Sequence, residues 1–490
     1  MTPAAAGPVV WDVVVVGSGP GGAVIASRLQ AAGKRVLVLE EGERPALQTL
    51  RRSTDSLLCR FYRNSGAVPF FGPFTFAFGE GKVAGGGSFV NAGLIWPAPE
   101  RVLKDWAEKL PGSVFDSSRW RAAEARVRAD LQVNTDHNFT GGANAASKIM
   151  HEAALALNWR SVPVPRAVVN CQNSNRCATG CPSGARRSMV EACLVPFEQG
   201  GGTLLTDTRV VKIVPPKVGK AGEIVFRNSE GTGRAKFSKA VISAGATQSA
   251  LLLRKSGLSR TAGRQFEFHL NFKVLARFPF TVDAARGTLL THQVQEFEDE
   301  GILIMATGFN GKYLALELGK LDGKAAAGLR DGARQLGLYS VMIRPRAAAK
   351  LYDLFGQTFG RWSWDAASDK LMRRGLLKTC ELLFKAGALE VVLPLRRTRP
   401  LVSLREAAEL LAASPTSDFS AVSVHGMSAN RMGTSPDNSV VDLDARVWGQ
   451  KDIFVADSSI LPTNLGESPQ GTIMTAAHEL ADRWLAAGLV

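Results

Sequence analysis

The chain has 490 residues, of which 59 are lysine or arginine and 44 are acidic, so its formal net charge is +15. Hydrophobic residues make up 45% and charged residues 21%, which is typical of a globular protein with two or three domains. No run of about 18 apolar residues predicts a membrane-spanning helix. No nucleic-acid-binding module accompanies the basic residues, so they predict a solvated surface, or attraction to an acidic partner or an anionic membrane face.

The start of the chain lacks the pattern of a signal peptide. Met1–Pro8 is small and uncharged, with neither the basic beginning nor the apolar core of such a segment. We therefore expect a cytoplasmic protein, unless a partner subunit carries it to a membrane face.

A strand, a glycine-rich turn, a helix and a second strand form the first recognisable unit. Val13–Val16 is β-branched and too apolar to alternate, which predicts a parallel strand buried on both faces. Apolar spacing predicts a helix over Ala23–Ala32, and Val36–Leu39 is a second predicted buried strand. Between the first strand and the helix, Gly17–Gly22 has the G-x-G-x-x-G pattern of a dinucleotide-binding turn.

Each special residue of this unit has a physical role in the predicted site. Gly17 permits the tight turn, Gly19 lets a pyrophosphate approach the backbone, and Gly22 lets the helix pack closely on the strand. The helix N-terminus would then hold the phosphates through free N–H groups. Glu40, at the end of the second strand, is placed to bind ribose hydroxyls. The unit predicts a bound dinucleotide but does not choose between NAD(P) and FAD.

A second glycine-rich stretch follows at Gly81–Asn91, which reads GKVAGGGSFVN. Three consecutive glycines let the main chain lie against a flat ligand, and the alternative is a flexible turn. Beyond it, Pro99–Leu157 has a mostly helical pattern.

The middle of the chain predicts an antiparallel sheet with helices, inserted into a nucleotide-binding domain. The predicted strands are Thr203–Val214, Glu223–Arg227, Lys239–Ala244, Phe266–Phe280, Thr291–Gly308, Leu314–Leu318 and Leu338–Ile343, and the predicted helices are Thr247–Ser256 and Ala366–Ala388.

The last segment, Ser423–Ala487, closes the nucleotide-binding domain. Ile453–Ala456 is a predicted short buried strand, and Asp457 stands at its end, where ligands of such folds bind. Thr472–Ala487 is a predicted helix.

Three of the six cysteines, Cys171, Cys177 and Cys181, are spaced C-x5-C-x3-C. Thiolates grouped this closely can hold an iron–sulfur cluster or zinc. The other reading is that they are small structural residues.

Several separated stretches together resemble the glucose–methanol–choline oxidoreductase family. They are VVVVGSGPGGAVIASRL, VAGGGSFVNAG, VISAGATQSALLLRKSG and HGMSANRMG with FVADSSILPT and TIMTAAHELAD. The resemblance implies an FAD enzyme that oxidises a small-molecule alcohol, with an α/β Rossmann-like FAD-binding domain and an inserted antiparallel-sheet substrate domain. The expected segments are FAD-binding at 9–98, 166–265 and 421–490, a helical cap at 99–165, and the substrate-binding domain at 266–420.

The resemblance also implies a site for each part of FAD. Gly17, Gly19 and Gly22 would hold the pyrophosphate, and Glu40 the adenosine ribose. The main chain of Val211 would meet the adenine, and Asp457 would lie near the pyrophosphate and ribitol. The residues expected along the flavin are Gly86, Gly87, Ser88 and Asn91.

Alcohol oxidation requires a base for the hydroxyl proton, and imidazole suits neutral pH. His425, in SVHGMSANRMG, matches the catalytic histidine of the family, whereas His269 resembles a structural one. Ser468 stands where the family usually has a second histidine or an asparagine. A serine hydroxyl can bind an alkoxide but is no general base, so Asn464, Glu467 or Gln470 is expected to compensate.

The cysteine spacing resembles that of bacterial membrane-linked sugar dehydrogenases of the same family. The likeness implies a [3Fe–4S] cluster on Cys171, Cys177 and Cys181 that passes electrons to an acidic cytochrome partner. Other members carry similar stretches with no cluster, and both readings stay open.

Alternative functions are a non-oxidative flavin-dependent lyase or decarboxylase, kept open by Ser468, and a flavin-bound electron-transfer subunit, which the histidine motif disfavours. The many aromatic and aliphatic residues of the inserted domain fit a lipid, steroid or aromatic alcohol, and sugar or aminoglycoside alcohols remain open. The sequence predicts neither the oligomeric state nor whether dioxygen is the electron acceptor.

Overall fold

The computed structural model describes residues 9–135, 144–288, 290–307 and 311–490. In this part of the chain, two large sheets carry most of the core. Among these residues, no helix is both long and apolar enough to cross a membrane.

The first sheet is built around the N-terminal unit. Its strand order is β6-β2-β1-β9-β8-β7, with β20 also paired to β9. The pairs of β2 with β6, β1 with β2, β1 with β9 and β9 with β20 are parallel, and β8 forms antiparallel pairs with β7 and β9. The parallel part, with a Rossmann-like arrangement, confirms the predicted fold class. The strands are β1 (Val10–Val16), β2 (Val36–Leu39), β6 (Thr203–Leu205), β7 (Arg209–Val214), β8 (Gly222–Asn228), β9 (Gly231–Ile242) and β20 (Ile453–Val455).

The second sheet has the path β15-β16-β3-β4-β18-β11-β14-β13-β12-β5, with β17 also paired to β11. Beside it, β10 and β19 form a short antiparallel pair. The strands of these two sheets are β3 (Val68–Phe71), β4 (Phe76–Phe78), β5 (Ser161–Pro163), β10 (Glu267–Phe268), β11 (Leu270–Arg277), β12 (His292–Val294), β13 (Ile302–Ala306), β14 (Leu336–Ile343), β15 (Ala347–Leu354), β16 (Gln357–Trp364), β17 (Glu390–Val392), β18 (Val422–Ser423) and β19 (Gly426–Met427).

Helices cover both sheets. In the first, α1 packs against α12, and in the second, α10 lies across β14, where Gly375 permits the close approach to Val341. The helices are α1 (Pro20–Ala31), α2 (Thr54–Phe61), α3 (Glu100–Lys109), α4 (Trp120–Asp130), α5 (Ala145–Ala156), α6 (Val195–Gln199), α7 (Ala246–Lys255), α8 (Gly311–Leu318), α9 (Gly323–Asp331), α10 (Ala366–Lys385), α11 (Leu404–Ala413) and α12 (Gln470–Ala486).

One predicted strand is wrong. Leu314–Leu318 was predicted to be a strand, but it lies in α8, and the predicted strand Leu338–Ile343 lies in β14, which pairs with β11 and β13. Leu314 and Leu318 pack on the core, whereas Leu316 between them is 58% exposed. An i, i+4 pair of apolar residues with an exposed residue between them fits a helix, and a short apolar run does not distinguish the two structures.

The second sheet also takes strands from outside the predicted substrate-binding segment of 266–420. β3 and β4 come from the predicted FAD-binding segment 9–98, and β18 comes from the predicted FAD-binding segment 421–490. The predicted segment boundaries remain predictions, but pairing along the second sheet crosses them.

The glycine-rich turn between β1 and α1 fits against the ends of two distant strands. A Cβ atom on Gly21 would lie 1.7 Å from the carbonyl oxygen of Ala456, and one on Gly17 would lie 2.3 Å from that of Ser243. A Cβ atom on Gly22 would lie 2.1 Å from the carbonyl oxygen of Gly17. These contacts leave no room for any side chain, so the loop is locked to the end of β9 and to the segment after β20.

We expect Gly21→Ala to destabilise the protein by about 3 kcal/mol or more, because the added methyl group overlaps the backbone after β20. Gly19→Ala is the matched control in the same loop: Gly19 has an ordinary φ of −67°, and its Cβ atom would come no closer than 4.0 Å to Gly86. Thermal unfolding of both variants without added cofactor measures the difference. Equal unfolding temperatures for the two variants would contradict this account of the loop.

Candidate active site

A buried carboxylate organises the predicted dinucleotide site. Glu40, directly after β2, accepts hydrogen bonds from the Ser18 N–H at 2.9 Å, the Ser18 hydroxyl at 2.7 Å and the Gly42 N–H at 2.8 Å. The Ser18 hydroxyl in turn accepts from the Gly85 N–H at 3.1 Å. Burial raises the pKa of Glu40. Both glycine-rich stretches are therefore tied to Glu40, and this link through Ser18 was not predicted from the sequence.

The two glycine-rich stretches cross where the predicted ligand would pass. A Cβ atom on Gly86 would come within 2.8 Å of the Gly19 Cα, whereas one on Gly87 would meet nothing within 4 Å. The helix α1 begins beside this crossing with Pro20, and no side chain caps its N-terminus. An uncapped helix end beside bare backbone is suited to an anionic pyrophosphate.

Of two further predicted residues, Val211 lies within β7 at the edge of the first sheet and Asp457 follows β20. The register between β7 and β8 shifts at Val211, so this residue is skipped in the pairing, and a main chain left out of a ladder in this way can bind a ligand. Asp457 accepts hydrogen bonds from the Gly245 N–H, the Ser249 hydroxyl and the Ser459 N–H. Burial raises the pKa of Asp457. Asp457 therefore holds the turns after β9 and β20 together.

The side chains of Ser88 and Asn91 bind the protein itself. The Ser88 hydroxyl donates to the Gly85 carbonyl at 2.6 Å and accepts from the Met189 N–H at 3.0 Å. Asn91 donates to the Gln470 side chain and accepts from the Gly93 N–H at 2.9 Å. These contacts fix the backbone of the Gly85–Asn91 segment, which leaves its main chain as the surface for a flat ligand.

A buried arginine, Arg186, also holds the backbone of the Gly85–Asn91 segment. No sequence pattern predicted this contact. Arg186 donates to the carbonyl oxygens of Ser88 and Phe89, and its guanidinium lies 5.6 Å from the centre of the Phe89 ring. Burial lowers the pKa of Arg186.

The cysteine segment that precedes Arg186 shows no arrangement of metal ligands within the described residues. Within the described residues, which include all three cysteines, no group of three or more cysteine, histidine or carboxylate side chains is arranged to hold a metal ion. Cys171 accepts from the Thr288 hydroxyl at 3.3 Å, and Cys177 is buried 3.7 Å from Nη2 of Arg166. This arrangement gives no support to the [3Fe–4S] cluster, one of the two readings that the sequence left open.

His425 lies beside a second histidine. Its Nδ1 is 3.1 Å from Nδ1 of His269, and Nε2 of His269 accepts a hydrogen bond from the Gly466 N–H at 2.9 Å. Burial holds the pKa of His269 well below its usual value and lowers the pKa of His425 to about 4. The histidine pair is therefore anchored to the loop that contains Ser468.

This loop, Asn464–Gln470, brings several predicted residues together. Glu467 is buried and accepts from the Ser468 N–H at 2.7 Å and from the Gln293 side chain at 2.6 Å. Asn464 accepts from the Arg344 guanidinium at 2.7 Å. The hydroxyl of Ser468 makes no hydrogen bond within the described part of the chain, so it is free to bind a ligand. The loop thus connects the histidine pair, through Gly466, with Asn91, through Gln470.

One face of the second sheet turns away from α10 and towards the segment after Asn91. Alternation along β13 and β14 places Ile302, Val341 and Ile343 under α10, so their neighbours point to the opposite face. These neighbours form an apolar cluster with the segment after Asn91. The cluster consists of Leu94, Val164, Leu303, Met305 and Met342, with Ala92, Trp96 and Leu290 packed against it.

Family models and relatives agree with this arrangement. Residues 58–271 and 360–477 match the two models described as GMC oxidoreductase, and residues 15–66 match an NAD(P)-binding Rossmann-like domain. A GMC-type oxidoreductase of Mycobacterium tuberculosis strain H37Rv is 30% identical over 483 residues, which are 97% of this chain and 76% of the relative. A long-chain-alcohol oxidase of Arabidopsis thaliana is 24% identical, over 95% of this chain and 67% of that protein.

The fold is also that of a solved oxidase. The crystal structure of pyridoxine 4-oxidase from Mesorbium loti superimposes with a TM-score of 0.69 and 17% sequence identity, over 97% of this chain and 99% of that one. The glycine-rich crossing and the histidine pair are consistent with these matches. The two matched models and the mycobacterial relative show that the chain belongs to the GMC oxidoreductase family.

Proposed function

We propose that this protein oxidises an alcohol to a carbonyl compound with bound FAD, and that the reaction takes place where the Gly85–Asn91 segment, His425 and the Asn464–Gln470 loop meet. The observation that carries the proposal is the chain of contacts from His425 through His269 to Gly466. It anchors the motif histidine to the same loop that binds Asn91 through Gln470.

The residues that would hold the cofactor fit its parts. Gly17, Gly19 and the uncapped start of α1 suit the pyrophosphate, and the main chain at Val211 suits the adenine. Gly87, with open space around its Cα, suits the flavin ring. Bound FAD would supply a two-electron acceptor for the hydride that leaves the alcohol carbon. The side chains of His425 and Ser468 would contact the substrate oxygen.

The proposed substrate is a predominantly apolar alcohol. The cluster that includes Leu303, Met305 and Met342 lies between the second sheet and the segment after Asn91, and we propose that it forms a wall of the substrate cavity. The relative named as a long-chain-alcohol oxidase supports this proposal.

Neither the iron–sulfur cluster nor a cytochrome partner enters this proposal. The arrangement of the three thiols gives no support to the cluster, and the cytochrome was expected only on its account. We propose instead that the cysteine segment supports Arg186, which holds the carbonyl oxygens of Ser88 and Phe89.

Removing the imidazole tests the proposed centre. We expect His425→Ala to lower kcat for alcohol oxidation by about 10²- to 10⁴-fold, because the group that handles the hydroxyl is lost, while the flavin absorbance of the purified protein is unchanged. His151→Ala is the control, since His151 lies on α5, stacked on His292. Unchanged turnover in His425→Ala, or a wild-type protein without flavin absorbance, would rule the proposal out.

The apolar wall predicts a dependence on chain length. We expect Met342→Gln to lower kcat/KM for a long-chain primary alcohol by roughly 10-fold. A loss of this size corresponds to most of the free energy gained by burying one methionine side chain against the substrate. For a short alcohol, which would not reach the wall, the same variant should change little. Steady-state kinetics with both alcohols measures the difference, and each substrate is the control for the other. Equal losses of kcat/KM for the two alcohols would show that Met342 does not line the substrate cavity.

A further inference from the structure

The turn between β15 and β16 has an unexpected residue at its tip. Leu354 pairs with Gln357, so the loop consists of Phe355 and Gly356, and both have a positive φ, 51° and 82°. Two-residue turns of this kind favour Asn-Gly, because a bulky side chain adopts the left-handed conformation at a cost. Phe355 is also 98% exposed. Neither the turn nor the core therefore accounts for a phenylalanine at this position.

The outer face of this hairpin continues the exposed apolar surface. Tyr352 and Phe359 are paired across the two strands, and their rings stack with centres 5.2 Å apart. Phe71, in the neighbouring strand β3, packs edge-on against Phe359 and is 48% exposed. The hairpin patch, as we define it, consists of Phe71, Tyr352, Leu354, Phe355 and Phe359. A contiguous exposed patch of this kind is typical of a docking surface.

Two positive charges lie beside the patch on the same face. Lys350 and Arg361 are directly opposite each other in the register, two residues from Tyr352 and Phe359, and both are exposed. Like charges paired across strands repel each other. Within the described residues neither of them forms an ion pair. Their positive charge is therefore available to an anionic partner.

Two further basic residues approach the hairpin from the end of α7. Arg254 donates to the carbonyl oxygen of Leu351 at 2.7 Å, and Lys255 forms an ion pair with Asp353 at 3.0 Å. Asp353 is the only acidic residue of β15 and β16, and Lys255 neutralises it. The hairpin therefore presents uncompensated positive charge next to exposed apolar side chains.

We propose that the hairpin patch docks the protein on an anionic lipid bilayer. Leu354 and Phe355 would enter the apolar part of the bilayer, while Lys350 and Arg361 would lie at the phosphate groups. Tyr352, with an apolar ring and a polar hydroxyl, suits the interface between these regions.

A second copy of this chain fits the hairpin patch less well. In a symmetric dimer the same surface of each copy faces the other, so two Lys350–Arg361 pairs would come together and repel. Docking on lipid is independent of the proposed alcohol oxidation, and it can be measured whether or not the protein turns over an alcohol. A bilayer is also a phase in which a predominantly apolar alcohol dissolves.

The first test, Phe355→Asn, separates docking from folding. Asparagine tolerates a positive φ, so the unfolding temperature should equal or exceed that of the wild type. We expect the affinity of the FAD-loaded protein for vesicles of phosphatidylcholine with about 30% phosphatidylserine to fall by about 10-fold or more, as measured by co-sedimentation. Equal binding by Phe355→Asn and the wild type would overturn the proposal.

Leu155→Gln is the matched control for the loss of an exposed apolar side chain. Leu155 is 54% exposed on α5, which packs on β5 and β12 at the opposite edge of the second sheet. This variant should bind the same vesicles as the wild type does. An equal loss in Leu155→Gln and Phe355→Asn would show that the hairpin patch is not the docking surface.

The second test concerns charge. We expect Lys350→Gln and Arg361→Gln each to weaken vesicle binding by about 5-fold. Vesicles of phosphatidylcholine alone, or about 0.5 M NaCl, should weaken binding of the wild type in the same direction. Binding that is independent of lipid charge and salt would overturn the proposal. So would a dimer in analytical ultracentrifugation that Phe355→Asn converts to a monomer, because the hairpin patch would then be occupied by a second copy.

Discussion

The absence of side chains at Gly17, Gly21 and Gly22 is the constraint on which the arrangement of the molecule depends. At Gly17 and Gly21 the first loop comes close to the carbonyl oxygens of Ser243 and Ala456, which lie far away along the chain, and at Gly22 it comes close to the carbonyl oxygen of Gly17. Because the backbones are in such close contact, the ends of β9 and β20 are fixed relative to the start of α1. Asp457 adds polar links, because it accepts hydrogen bonds from the turn after β9, at Gly245, and from Ser459, two residues after Asp457 itself.

Local sequence patterns were sufficient to predict those elements whose structure depends on neighbouring residues. The strand–turn–helix–strand unit was identifiable because its apolar runs, glycines and terminal acid are close in sequence, and each has its own steric or electrostatic reason. Leu314–Leu318 was assigned wrongly because so short a run does not distinguish a strand from a helix turn. Pairing in the second sheet was only partly predictable, since β3, β4 and β18 join it from segments that the family resemblance assigned to FAD binding.

The contacts that determine the chemistry of the site could not be predicted from the sequence, because they join residues that are far apart along the chain. Nothing near Arg186 predicts that it binds the backbone at Ser88 and Phe89. The spacing of Cys171, Cys177 and Cys181 suggested metal ligands, but spacing does not give the direction in which a thiol points. His425 could be found through its motif, whereas its contact with His269, and through that ring with the Gly466 N–H, joins residues that no local pattern connects to the motif.

The departure at Ser468 and the unusual burial of Glu467 belong together. A second histidine or asparagine at position 468 would bind the substrate oxygen, whereas serine leaves room beside a carboxylate. Two neutral donors, the Ser468 N–H and the Gln293 amide, orient that carboxylate without the full charge of an arginine or lysine. An ion pair would hold the pKa of Glu467 low, whereas here burial raises the pKa of Glu467 to about 7, although the two hydrogen bonds lower it. The Asn464–Gln470 loop therefore places a buried carboxylate directly beside the position where the family usually has a side chain that binds the substrate oxygen.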